Sequence, residues 1–254
     1  NEKKKKLSLE VVDSGEYYDV YIENLNPYTV TVKVKGKYEN LEPNFITKDV
    51  VSIRSGKKEQ YLRLKKIKGA LSHSYNLSYT WVLGDINAVH NDEYIYRLPY
   101  AKDSRVRVSL GFNGTTTHKG RSKYAIDFAM DVGTKIYAAR AGTVVKVKQD
   151  SNKGGFSKEF SPHGNYVTIE HDDATFATYY HLKQYGATVR VGNDVRKGSL
   201  IAYSGNTGYS SGPHLHFAVF KANSESSTQT IKIKLLSVNG VEHYIEKNTF
   251  YIAK

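Results

Sequence analysis

Residues 213–217 read Pro213-His214-Leu215-His216-Phe217. In an extended chain, residues i and i+2 share a face. His214 and His216 therefore point together, while Leu215 and Phe217 point the opposite way. The pattern describes a strand with one apolar face, and it sets two imidazoles side by side. Such a pair is costly to bury without a partner. A metal ion or an anionic group would satisfy it, and open solvent is the plain alternative.

The strand pattern extends to both sides. From Arg105 onward, eight strand-like runs follow one another: VRVSLGF, YAIDFAM, IYAARAGTVVKVKQ, NYVTIEHDD, TFATYYHL, ATVRVG, GSLIAYSG and HLHFAVF. Turn signals fall between them at Gly133, Ala141–Gly142, Asp172–Asp173, Gly192–Asn193 and Lys197–Gly198. Short strands at such spacing predict a barrel or sandwich. Residues 229–252 predict a hairpin turning at Asn239–Gly240, able to pair with either domain. Near the start, residues 28–37 open with strict alternation after a turn at Asn24-Leu25-Asn26-Pro27. Residues 60–66, 76–83 and 93–98 are further strand candidates. The fold class is therefore all-β. A small N-terminal β domain spans 1–104, an antiparallel barrel-sandwich domain carrying the site chemistry spans 105–222, and a β-hairpin extension spans 223–254.

Composition narrows the chemistry. The 254 residues hold 37 Lys and Arg against 25 Asp and Glu, a formal charge of +12. That charge favours a polyanionic partner without naming one. No zinc-finger, helix-turn-helix or RNA-recognition signature is present, which argues against nucleic acid. There is no Cys, so any metal must be held by His and carboxylates. No run approaches 18 apolar residues, so no transmembrane helix is expected. The chain begins at Asn1 rather than Met, and a removed export signal is the expected reason. The Lys3–Lys6 run reads as a frayed basic terminus.

Three more segments carry candidate ligands. In Tyr124-Ala125-Ile126-Asp127-Phe128-Ala129-Met130, Asp127 lies between two alanines on the face opposite Tyr124, Ile126, Phe128 and Met130. A carboxylate on so hydrophobic a strand needs a cation or hydrogen-bond donors. His181 ends the strand of TFATYYHL. His118 precedes Asp127 by nine residues, a separation of about 30 Å if extended. Two ligands of one zinc sit far closer, so Lys119–Lys123 would have to fold back, with Gly120 permitting it. His73, His90, His163 and His171 read as structural or solvated.

The runs VGNDVRKGSLIAYSGNTGYSSGPHLHF, YAIDFAMDVGTKIYAARAGTVV and TYYHL resemble the lysostaphin-type zinc metallopeptidases of bacterial cell walls. The resemblance covers about residues 105–222. It implies one Zn2+ per chain, held by Asp127, His216 and a further His, with His181 and His214 as the catalytic pair. Which of that pair is the base stays open. The commonest family pattern places the first ligand four residues before the Asp, where this chain has Lys123. Some members place it further upstream, and His118 fits that arrangement. Ser204, Asn206 and Thr207 are expected to bind substrate or shape the loop beside it. The implied substrate is peptidoglycan, the implied location is periplasmic or secreted, and a monomer is expected. Two rivals remain. One is a degenerate member that has lost its metal and regulates other hydrolases. The other is a latent enzyme whose groove is covered by the N-terminal domain or by residues 84–94.

Overall fold

The computed structural model describes residues 7–46, 49–224 and 226–254. The Lys3–Lys6 run lies outside them. Strands dominate, as the alternation predicted, and no helix among the described residues is long and apolar enough to cross a membrane. The chain forms two compact units. One comprises residues 1–88 with 222–228, the other 89–221 with 229–254.

The N-terminal unit holds two antiparallel sheets. In one the order is Leu7–Asp13, Tyr17–Asn24, Lys58–Lys66, Leu41–Phe45, and in the other Val51–Ile53, Val30–Glu39, Ser74–Leu83. Val30, Val32 and Val34 are buried on one face, and Thr31 between them is buried too, its hydroxyl donating to Gly84 O at 2.7 Å. The turn before them is held by Asn24. Its buried amide donates to Tyr28 O and Ile53 O, each at 2.8 Å, and its oxygen accepts from Asn26 N at 3.0 Å. An Asn that mimics a backbone turn in this way explains why the chain reverses there.

The boundary of the second unit falls at Val89, not at 105 as the sequence suggested. The reason is burial. Tyr96, Leu98 and Tyr100 are fully enclosed in the second unit's core, and Ile95–Arg97 pairs in parallel with Lys234–Ser237. The segment after 228 belongs to the same unit. Lys234–Ser237 and Gly240–Glu242 form the expected hairpin, and Phe250–Ile252 pairs with Arg105–Leu110.

The second unit is built on a nine-stranded sheet. Its main path runs Asp194–Val195, Gly142–Lys148, Tyr166–Glu170, Phe176–Tyr180, His214–Ser224, Ile126–Ala129, Arg105–Leu110, Phe250–Ile252, and every adjacent pair along it is antiparallel. A smaller sheet of Lys135–Tyr137, Leu200–Ser204 and Leu182–Ala187 contributes Ile136, Leu182, Ile201 and Ala202 to the same core. Leu215, Phe217, Ile126 and Phe128 are fully buried, each worth about 1.5–3 kcal/mol of burial. They anchor the two strands that carry His214, His216 and Asp127.

His171 packs in the hairpin turn between Tyr166–Glu170 and Phe176–Tyr180 rather than at the site, its backbone N–H donating to Thr175 O at 2.8 Å. Its Nδ1 donates to Ala141 O at 2.8 Å, its Nε2 is buried without a partner, and Tyr96 meets its ring edge-on. Burial, reinforced by the nearby Arg140 guanidinium, pulls the imidazole down to about 4. The unfolded chain binds a proton near its ordinary value of about 6.5 while the folded chain does not. Stability is therefore retained above about pH 6.5 and lost as pH falls from there toward 4, on the order of 3 kcal/mol for this group. Urea midpoints measured across that interval should fall more steeply for the wild type than for His171→Asn.

Candidate metal centre

The register between two strands creates the site. Asp127 lies directly opposite His216, and Ala129 opposite His214, while Tyr180 faces His216 from the other side. Directly opposed side chains on one face start only about 4.5–5.5 Å apart. His216 Nδ1 approaches Asp127 Oδ1 to 2.8 Å, and His214 Nε2 lies 3.9 Å from the same oxygen. The alanines flanking Asp127 leave that space open.

His118 arrives from a loop. The 3-10 turn Gly120–Ser122 reverses the chain, with Gly120 at φ +53°, and Asn113 N donates to Lys123 O at 2.6 Å across the base of the loop. The loop thus folds back as the ligand spacing required. His118 is fully buried, donates from Nδ1 to Gly111 O at 3.0 Å, and presents Nε2 3.2 Å from Asp127 Oδ1. Lys123 is exposed, with its ammonium over the Tyr124 ring.

His181 sits just past Phe176–Tyr180 in the left-handed region, at φ +64°. Such a conformation costs on the order of 1–3 kcal/mol in a non-glycine residue and persists where its surroundings enforce it. Here the enforcing contact is the Nδ1 hydrogen bond to Thr207 O at 2.7 Å. The His181 and His214 ring centroids are 4.5 Å apart, and those of His118 and His216 are 5.4 Å apart. All five predicted ligand and catalytic residues therefore converge.

The electrostatics follow from that convergence. Burial alone would raise the Asp127 carboxyl, but His118 and His216 overcome it and hold it well below the usual carboxylate range. Burial opposes charge on His118 too, yet the adjacent Asp127 lifts that ring above its ordinary value. His181 is pushed down to about 3 by burial and by neighbouring His214.

The donor set suits a divalent ion. Ligand atoms of His118, Asp127 and His216 lie within 4.8 Å of one another. His118 Nε2 is buried with no hydrogen-bond partner although it faces a carboxylate, and a cation between them resolves that cost. Two imidazoles and one carboxylate match a zinc site with an open position.

For the loop residues, expected to bind substrate or to shape the loop, the hydrogen bonds show the shaping role. Ser204 is fully buried; its hydroxyl donates to Asp131 O at 2.6 Å and accepts from Thr134 N at 2.9 Å. Thr207 is buried as well, donating to Leu182 O at 2.8 Å and accepting from Asn165 N at 3.0 Å. Both brace the loop, the second of the two roles expected of them. Asn206 is half-buried and accepts from Ser210 Oγ at 2.6 Å. Two residues at the site were missed by the sequence reading. Ser210 contacts His214, and Tyr180 lies with its ring centroid 4.8 Å from that of His181. Tyr180 was legible as the cross-strand neighbour of His216, had the register been known.

The profile of peptidase family M23 matches residues 121–228. The match places a segment similar to this family at residues 121–228, less than half of the chain. His118 falls just upstream of the matched segment. Lysostaphin of Staphylococcus simulans is 39% identical over 109 residues, 42% of this chain and 19% of that protein. The peptidoglycan DD-endopeptidase ShyA of Vibrio cholerae is 34% identical over 122 residues, 46% of this chain and 26% of that protein. A metalloprotease of Buchnera aphidicola is 26% identical over 253 residues, 94% of this chain and 63% of its own length. The crystallised catalytic domain of the Staphylococcus simulans lysostaphin shares 30% identity, with 54% of this chain and 85% of that one covered at a TM-score of 0.34. The chain spans under two thirds of each of these full-length relatives.

Metal analysis of the purified chain should find near-stoichiometric divalent ion. His118→Ala should lose it on dialysis, whereas Lys123→Ala should keep it. Retention of the ion in His118→Ala would remove His118 from the ligand set.

Proposed function

We propose that this chain is a zinc endopeptidase that hydrolyses an amide bond of peptidoglycan, in a stem peptide or a cross-bridge, outside the bacterial cytoplasm. The observation that carries the reading is the convergence of His118, Asp127 and His216 within 4.8 Å, beside His181 and His214. The lysostaphin and ShyA similarities support the substrate class. A net charge of +12 suits an acidic wall.

His118, Asp127 and His216 would hold the zinc. Bound there, zinc polarises a scissile carbonyl and lowers the pKa of a water toward about 7. The chain's own residues handle the proton. His181 and His214 each commit Nδ1 to a backbone carbonyl, Thr207 O at 2.7 Å and Gly212 O at 2.8 Å. A carbonyl only accepts, so both rings carry the proton on Nδ1 and keep Nε2 as the acceptor. A ring that takes a proton at Nε2 is placed to return it to the leaving amine nitrogen. Such help is worth about 10²–10⁴-fold.

The degenerate, metal-free alternative rested on Lys123 replacing a ligand. With His118 folded back onto Asp127, that argument loses its basis. The latent alternative asked the N-terminal domain or residues 84–94 for a blocking ligand, and the one histidine of that loop is His90. His90 is instead engaged by Asp92 at 2.8 Å and Tyr96 Oη at 3.1 Å.

Digestion of purified peptidoglycan, read by mass spectrometry, tests the assignment and reports the bond cut. Released peptide fragments should vanish with a chelator and return with zinc. His214→Ala and His181→Ala should each lower kcat about 10²–10⁴-fold. Intact peptidoglycan after incubation with the zinc-loaded chain would refute the proposal.

A further inference from the structure

Ser210 is buried within the loop that leads to the His-x-His strand, and its hydroxyl oxygen touches four polar partners. It lies 2.6 Å from Asn206 Oδ1, 2.8 Å from Gly212 O, 3.2 Å from His214 Nδ1 and 3.3 Å from Gly212 N. One hydroxyl has one proton and two lone pairs. Asn206 Oδ1 is its shortest acceptor. With the proton directed there, the lone pairs face the Gly212 N–H and the His214 ring.

That polarity decides the state of His214. A bare Nδ1 would face lone pairs from both Ser210 Oγ and Gly212 O. A protonated Nδ1 donates to Gly212 O at 2.8 Å, with Ser210 Oγ as a second acceptor. The same loop also anchors the other histidine, since Thr207 O accepts from His181 Nδ1. Its start is tied to the His strand by a Gly205–His214 bridge, and Ser210 N donates to Gly155 O at 3.1 Å. Gly208, at φ +83°, packs so closely that a Cβ there would lie 2.6 Å from Gly164 Cα. The loop therefore has little freedom except where the Ser210 hydroxyl closes it.

We propose that Ser210 is a positioning residue: its hydroxyl holds the His214 ring in the Nδ1–H form with Nε2 toward Asp127, and through Asn206 it couples that ring to the loop that aims His181. This rests on His214 being one of the two proton-handling residues proposed above. It assigns a role to a residue that touches neither metal ligand nor substrate.

The test compares Ser210→Ala, Ser210→Thr and the exposed neighbour Ser211→Ala, with kcat and KM measured on a soluble cross-linked muropeptide and zinc content measured alongside. Ser210→Ala should lower kcat roughly 10–100-fold, the usual effect of losing a residue that orients a functional histidine. KM and zinc content should stay at wild-type values. Ser210→Thr should restore most of the rate, and Ser211→Ala should leave it unchanged. A wild-type kcat in Ser210→Ala, or a loss expressed in KM or zinc content, overturns the proposal. Should Ser210→Ala not fold, Asn206→Ala removes the acceptor instead, and an unchanged kcat there is equally fatal. Nitrogen-15 spectra of the histidine rings separate this idea from the hydrolase reading, because they need no substrate. His214 should show a single Nδ1–H pattern in the wild type and a tautomer mixture in Ser210→Ala. A wild-type Nε2–H pattern refutes the positioning role even in an active enzyme.

Discussion

Asp127 is a carboxylate drawn almost out of water, on a strand whose other face is sealed into the core. An ionised carboxylate in that position is expensive unless charge and hydrogen bonds surround it. His216 supplies a hydrogen bond from Nδ1 at 2.8 Å, while His118 Nε2 and His214 Nε2 lie 3.2 and 3.9 Å from the same oxygen, a spacing that a cation would complete. Each is delivered by a different device. His216 comes by strand register, His118 by a folded-back loop, and His214 by the residue two before His216 on the same strand. Breaking the register by one residue would turn every one of these strand side chains into the core. The apolar anchors Leu215, Phe217, Ile126 and Phe128 forbid that slip. The hydrophobic pattern is thus what secures the polar cluster.

The two halves of that pattern differ in how far sequence reveals them. Alternation in Pro213–Phe217 and Tyr124–Met130 is local, so the facing of His214, His216 and Asp127 was legible at once. The role of His118 was not legible from spacing, because a loop that reverses at a 3-10 turn leaves no period. The domain boundary was misplaced for a related reason. Residues 93–98 look like any other strand, and only their long-range pairing with Lys234–Ser237 shows which core they join. For Ser204 and Thr207 the choice between binding substrate and shaping the loop was not legible, because small polar residues in a glycine-rich loop suit either. Their hydroxyls are spent on backbone groups of other segments, and that is visible only once those segments are in place.

A second buried charge shows the same economy away from the site. Arg140 is enclosed yet paired with Asp172 and Asp173, stacked on Tyr94, and bonded to Tyr96 Oη at 3.1 Å. Tyr96 in turn meets His90, and burial pushes its hydroxyl up to about 12. A guanidinium so surrounded clamps the segment around Tyr96 onto the hairpin turn at Asp172–Asp173. That segment precedes the first strand predicted for the catalytic domain, yet its side chains complete the core. A truncation at residue 105 would strip Tyr96 from Arg140 and leave a buried cation short of partners, which is strongly unfavourable.

The histidines themselves divide by reach. His118, His181 and His214 each give Nδ1 to a backbone carbonyl, at 3.0, 2.7 and 2.8 Å, and point Nε2 away from it. His216 reverses the arrangement and turns Nδ1 to Asp127. The geometry explains the exception. Nδ1 is the ring nitrogen nearer the backbone, and His216 stands directly opposite Asp127, where a short reach suffices. His118 comes from a loop outside the sheet and needs the farther nitrogen to arrive at the same oxygen. Carbonyl partners fix the tautomers of His118 and His181 before any ligand binds, and at His214 the Ser210 hydroxyl acts beside Gly212 O. Pre-organisation of this kind depends on backbone atoms, which substitution cannot remove.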